Sequence, residues 1–277
     1  MPLFINGGNN MKKAVKAVLA ASMAVLLTAC SSSGAASASK KDSVSSASSS
    51  SSGKHYVIAT DTVFKPFEYT DSKGNFVGID VDILAAIAKD QGFTYDLKSL
   101  GWDSSIAACQ SGQADGMIAG ASITDERKNS GWIFSDSYYT ATQCAVVSDS
   151  SSYKSLDDLK GQTIAVKTGT QGATYADSLK DKYDFKIDTY EDSPTMYQAV
   201  TGGQAAACFE DTPIIEASIK DGDLPLKVLD GSENEGSGYG FAVFDKSKQD
   251  LIDAFNAGLK DIKADGTYDK IIAKYLG

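Results

Sequence analysis

The stretch ASITDERKNSGWIFSDSYYTA, residues 121–141, sets Arg127 behind two acids, with Ser122 and Thr124 just before it. A guanidinium is a planar fork of N–H donors that matches a carboxylate through two parallel, charge-assisted hydrogen bonds. Ser122 and Thr124 add hydroxyls and backbone N–H groups beside it. Much later in the chain, Glu210 and Asp211 end the apolar run QAAACFED. An aspartate there suits an ammonium group. An arginine and an aspartate held across a cleft would grip the two charged ends of an α-amino acid. Phe64 and Trp102 could cover a ligand side chain with flat apolar faces. The residue types alone leave simpler readings open, with Arg127 a solvated charge and the two aromatics core residues.

The elements around these residues give them a common place. HYVIAT is a short β run ending at Asp61, and GMIAG, GQTIAVKTG, QAAACFED and FAVF read as further strands. Between them lie helical patterns. GIDVDILAAIAKDQG puts Ile83, Leu84, Ile87 and Ala88 on one face, with Asp80 as the expected N-cap and Gly92 as the stop. KQDLIDAFNAGLKDIKADG keeps Leu251, Ile252, Phe255, Leu259 and Ile262 at helical spacing. This alternation predicts an α/β fold with mostly parallel sheets. In such sheets ligands collect beyond the carboxyl ends of the strands. That rule nominates Asp61, Gly120 through Arg127, Lys167 through Gln171, and Glu210 with Asp211 for one cleft.

The sequence also echoes itself. DSSIAACQSGQADGMIAG (103–120) and DSPTMYQAVTGGQAAACFED (192–211) each run from an Asp-Ser helix start, through an apolar face, to GQA and a buried strand. Aligned on GQA, Gly120 falls opposite Asp211. The shared layout predicts two similar α/β lobes instead of one large sheet.

The start of the chain is of another kind. From Met11, three lysines precede an apolar run from Ala17 to Leu27, the order of a secretory signal, with residues 1–10 an upstream extension. LTAC, ending at Cys30, resembles the bacterial lipobox, whose cysteine carries the lipid anchor. Residues 31–53 hold 13 serines in 23 positions, too polar to offset their chain entropy, and read as a disordered tether. Residues 1–29 carry three lysines and no acids, so removing them takes Lys+Arg from 26 to 23 against 36 Asp+Glu, a formal charge of -13. Such an acidic balance argues against nucleic acid and against a basic membrane-binding face. Cys109, Cys144 and Cys208 show no metal-ligand spacing and read as small core residues, and the single histidine, His55, lies at the tether junction. Neither a cofactor nor a metal is expected.

From about residue 55 onward the chain resembles the extracellular solute-binding proteins of polar amino-acid ABC importers. ATDTVFKPFEY, GIDVDILAAIA, AGASITDERK, AVKTGTQG, EDTP and GTYDKIIAKYLG match that family's motifs in order. The resemblance implies a two-lobed type II fold, with lobe 1 over 54–142 and 238–277 and lobe 2 over 143–237. Two crossover segments near Thr140–Cys144 and Gly238–Phe241 would join them. It implies that Arg127, with Ser122 and backbone at Thr170 and Gln171, binds the α-carboxylate, with Thr124 nominated beside them by its neighbouring hydroxyl. Asp211 and the Gly120 carbonyl would take the α-amino group. Phe64 and Trp102 would flank the side chain, and Asp61 would meet its tip. Lys167 stands where glutamine-binding members have lysine, whereas Glu210 stands where they have histidine. If Lys167 and Glu210 neutralise each other, Asp61 is left to accept from an amide, which favours glutamine over arginine, lysine or histidine. The expected protein is a monomeric, lipid-anchored receptor on the outer face of the membrane that serves a permease. A dehydratase on the same fold, with Glu210 as general acid, is the enzymatic alternative.

Overall fold

A computed structural model describes residues 53–222 and 224–277. The expected signal peptide, Cys30 and the tether up to residue 52 lie outside the described residues. The first part of the chain runs through β1 (His55–Thr60), the hairpin β2 (Tyr69–Thr70) and β3 (Phe76–Val77), α1 (Ile79–Gln91) and β4 (Thr94–Ser99). It continues through α2 (Trp102–Gln110), β5 (Gly116–Met117), α3 (Asp125–Asn129), β6 (Ile133–Phe134) and β7 (Tyr139–Ala141). A second sheet follows, from β8 (Gln143–Ser148), β9 (Thr163–Lys167), α4 (Gln171–Tyr183) and β10 (Lys186–Tyr190) to α5 (Ser193–Thr201), β11 (Ala207–Asp211), α6 (Thr212–Gly222) and β12 (Leu226–Val228). The chain then returns by β13 (Ser237–Tyr239) and β14 (Ala242–Val243) to α7 (Gln249–Ala264) and α8 (Thr267–Leu276).

The strand orders are β4-β1-β5-β14-β6 and β10-β9-β11-β8-β12. Each sheet has three parallel strands in the middle and at one edge, and then two antiparallel pairings. The sheets are therefore mixed, not mostly parallel as the alternation predicted. In both, the fourth position is taken by the strand that enters from the other lobe, β14 in one and β8 in the other. The echoed segments fall at the same place in the two lobes, α2–β5 in the first and α5–β11 in the second. Between the sheets, β7 and β13 pair antiparallel with Gly238 opposite Thr140, so both crossings run through one short ribbon.

Burial follows the expected faces. Ile83, Leu84, Ile87 and Ala88 of α1 pack against Leu251, Ile252, Phe255, Leu259 and Ile262 of α7 and α8's Ile271 in one core. Gly92 caps α1 with a left-handed φ of 69°. The N-cap is Gly78, however, and not Asp80, which is buried within the first turn and bonded elsewhere. Cys109, Cys144 and Cys208 are buried free thiols, as small core residues should be. Among the described residues no helix is long and apolar enough to cross a membrane.

Candidate functional site

Eleven of the twelve nominated residues line one cavity, together with Ala119. Thr124 is the exception. Its hydroxyl accepts from the Arg127 backbone N–H and caps the short helix α3, so it fixes the arginine from outside the cavity. The carboxyl ends of β1, β4, β5, β9 and β11 deliver the rest, as the strand-end rule requires. At Gly120 the backbone turns with φ +55°, and a Cβ would run into the Phe64 ring, so only glycine brings the backbone this close to the cavity.

Arg127 is 8% exposed. Its Nη1 donates to the Ser122 carbonyl at 2.9 Å and its Nη2 to the Gly169 carbonyl of the other lobe at 3.1 Å. The guanidinium carbon lies 5.0 Å from both the Trp102 and Trp132 ring centroids, close enough for cation–π attraction to each. Trp102 therefore packs against the arginine, besides lining the cavity. Burial lowers the guanidinium to about 10, which leaves it charged at neutral pH. Facing it, Thr170 caps α4 by accepting from Ala173 N–H. The first N–H groups of α4 have no acceptor within the helix and carry its partial positive charge. Arginine and helix start thus converge on one place, which suits an anion.

Asp211 lies opposite. Gln143 Nε2 donates to its Oδ1 at 2.6 Å, and the Tyr239 hydroxyl donates to its Oδ2. Glu210 is turned the other way. It accepts from Ser193 at 2.6 Å, from the Tyr197 hydroxyl at 2.9 Å and from the Asp211 N–H at 2.9 Å. Lys167 therefore does not pair with Glu210 as the sequence suggested. Its ammonium crosses the cleft to Asp61 and lies 5.3 Å from the centroid of Phe64. Both members of that ion pair are almost fully buried. The space left between these groups is about 20 Å³, room for about one water. A larger, open groove of about 330 Å³ lies behind Ser193 and Tyr197, but it lacks this set of opposed charges.

Residues 56–277 match the family model of bacterial extracellular solute-binding proteins, family 3. The chain belongs to that family. It is 35% identical over 228 residues to the probable histidine-binding protein of Neisseria gonorrhoeae, covering 81% of this chain and 84% of that one. Two solved structures of an ancestral arginine-binding protein, one bound to arginine and one to glutamine, are 34% and 33% identical to it. They superimpose with TM-scores of 0.74 and 0.73 and cover 80% of this chain and 98% of theirs.

Three residues of this solute-binding protein that shape the site escaped the sequence reading. Trp132 backs the guanidinium, and Gln143 and Tyr239 hold Asp211. Tyr239 lies on the returning ribbon and Gln143 at the start of β8, positions where neither spacing nor motif marks a site residue.

Burial, and next the adjacent Glu210, push the Asp211 carboxyl up to about 6, against the pull of Tyr239, Gln143 and Arg127. If Asp211 receives an ammonium, only its ionised form binds well, so affinity must fall as pH drops through that value. At pH 5 about one molecule in ten would carry the carboxylate, and affinity should be about tenfold below that at pH 7.5. Calorimetric titration at both pH values checks this, with Asp211→Asn expected to be weak and flat. Equal affinity of the unmodified protein at the two pH values would remove Asp211 from the ammonium contact.

Proposed function

We propose that this solute-binding protein is the receptor of an ABC importer, capturing a free L-amino acid outside the cytoplasm and delivering it to a membrane permease. The observation that carries this is the opposition of Arg127 and Asp211 in one buried cavity between the lobes. Their opposite charges suit the carboxylate and ammonium that every free amino acid shares. Because the residual space holds about one water, an amino acid enters when the lobes part at the β7–β13 ribbon and Lys167 yields. The differential contacts it makes then favour closure. Glu210 spends its oxygens on three donors from its own lobe, which speaks for a binding site and against its use as a general acid.

The preferred ligand in this reading is a neutral polar amino acid, glutamine first. The Lys167–Asp61 pair sets one donor beside one acceptor. A primary amide presents the complementary acceptor and donor, so it can insert without leaving either charge unpaired. Arginine, lysine or histidine is the second reading. It is favoured by the excess of Asp61, Glu210 and Asp211 over Arg127 and Lys167 among the lining residues, and by the names of the relatives. Titration of the unmodified protein with glutamine, arginine, lysine and histidine separates the two. Tighter binding of any cation than of glutamine overturns the first reading, and binding of none overturns the receptor itself.

The reading extends to the rest of the chain as a monomer held on the outer face of the membrane by lipid on Cys30, with no nucleic-acid partner. LTAC and the serine-rich stretch after it support the anchor. Two or more acyl chains would hold it stably where one would not. Release of Cys30→Ser protein from the membrane fraction checks this, and its retention after correct cleavage counts against it.

A further inference from the structure

A second pair of acids, Glu68 and Asp80, lies behind the cavity and plays no part in the reading above. Both are fully buried. Asp80 Oδ2 accepts from the Gly120 N–H at 2.9 Å and from the Tyr138 hydroxyl at 2.9 Å. Its Oδ1 and both carboxyl oxygens of Glu68 find no donor in any other group. Two buried carboxylates cannot both stay ionised at close range, whereas one shared proton turns the pair into donor and acceptor and gives two of the three orphaned oxygens a partner. Burial, reinforced by Asp80 itself, holds the Glu68 carboxyl well above its ordinary range, and burial raises Asp80 to about 7. The charged and titratable groups that face the pair are Asp61 and Lys167, already joined to each other, and Tyr138.

The pair reaches two walls of the cavity at once. Asp80 turns the Gly120 N–H away from the ligand space and so fixes the peptide that Gly120 presents to it. Glu68, through its backbone, brackets Phe64, with Phe64 N–H donating to the Glu68 carbonyl at 2.7 Å and Glu68 N–H to the Phe64 carbonyl at 3.1 Å. Phe64 in turn packs where a Cβ on Gly120 would stand. We infer that Glu68 and Asp80, sharing one proton, are positioning residues that set Gly120 and Phe64 for amino-acid binding, and that affinity falls when this proton leaves at alkaline pH. The inference rests on the cavity being the amino-acid site, but not on which amino acid fills it.

The test uses L-glutamine and L-arginine as probes, titrated from neutral to alkaline pH. Glu68→Ala is expected to bind the better probe at least tenfold more weakly at neutral pH. Glu68→Gln, whose amide donates to Asp80 at any pH, should restore the affinity and lose the alkaline decline. Comparing each variant with the unmodified protein at the same pH cancels the titration of the ligand's own amino group. An infrared band of a protonated carboxylic acid should be present in the unmodified protein at neutral pH and lost in Glu68→Gln. That readout stands even if Glu68→Ala fails to fold. A decline in Glu68→Gln parallel to the unmodified protein, or an infrared spectrum that the substitution leaves unchanged, overturns the inference. If the unmodified protein binds neither probe, the ligand reading fails, and the infrared band still decides whether the proton is shared.

Discussion

Arg127→Ala is expected to weaken amino-acid binding by about 2–5 kcal/mol, roughly 30- to 4,000-fold. The guanidinium is buried, and its packing against Trp102 and Trp132 restrains it before any ligand arrives. One arm is committed to Ser122 and one to Gly169, which leaves the remaining N–H donors aimed without further ordering. A carboxylate that meets such a preset fork loses little rotamer freedom of the protein on binding. Arg127→Lys should recover little of the loss. An ammonium is a point charge with no plane to stack, and it cannot serve Ser122, Gly169 and a carboxylate together. Calorimetric titration of both variants, with circular dichroism to confirm folding, measures the effect. If Arg127→Ala binds within threefold of the unmodified protein, Arg127 is a strut between Ser122 and Gly169 and not the carboxylate site.

Much of this arrangement could be read from the sequence, for reasons that are local or topological. Parallel strands end on one edge of each sheet, so residues at or just past the ends of HYVIAT, GMIAG, TIAVK and ACFED had to lie on the rims of the two sheets. The GQA echo revealed two lobes because the same helix–turn–strand unit is built twice. Of the antiparallel strands, FAVF (β14) shows itself as a strand but not its direction. β6 and β12 span only two and three residues, too few for a periodic signal, and the six-residue β8 is a continuous buried run with no alternation to mark it. Asp80 looked like a helix cap because capping chemistry is local, whereas its real partners, Gly120 and Tyr138, are 40 and 58 residues away. Thr124 erred in the opposite sense, since its hydroxyl was assigned to the ligand and serves the local helix. Long charged side chains are the least legible of all. Whether Lys167 turned to Glu210 or to Asp61 depended on how the lobes meet, which no spacing encodes.

The choice made by Lys167 carries the other large effect. In Lys167→Met the buried Asp61 carboxylate loses its counter-ion, and removing one partner of a buried pair typically costs about 3–5 kcal/mol. A neutral ligand cannot make good that loss, because its amide offers Asp61 a dipole and no charge, and it also loses the Lys167 donor. Glutamine binding by the variant should therefore fall, on the order of tenfold or more. A cationic side chain gains on both counts. The repulsion from Lys167 disappears, and its own charge takes the place of the lost ammonium beside Asp61. Methionine keeps an unbranched side chain of similar length over Phe64, so the apolar wall stays in place. The preference between glutamine and arginine is thus expected to move towards arginine by on the order of a hundredfold, as two separate effects of about tenfold multiply. Competition titrations of the two amino acids against the unmodified protein and Lys167→Met measure that ratio. An unchanged ratio would place the ligand side chain away from Lys167 and Asp61, and the determinant of specificity would then have to lie with Trp102 or Glu210.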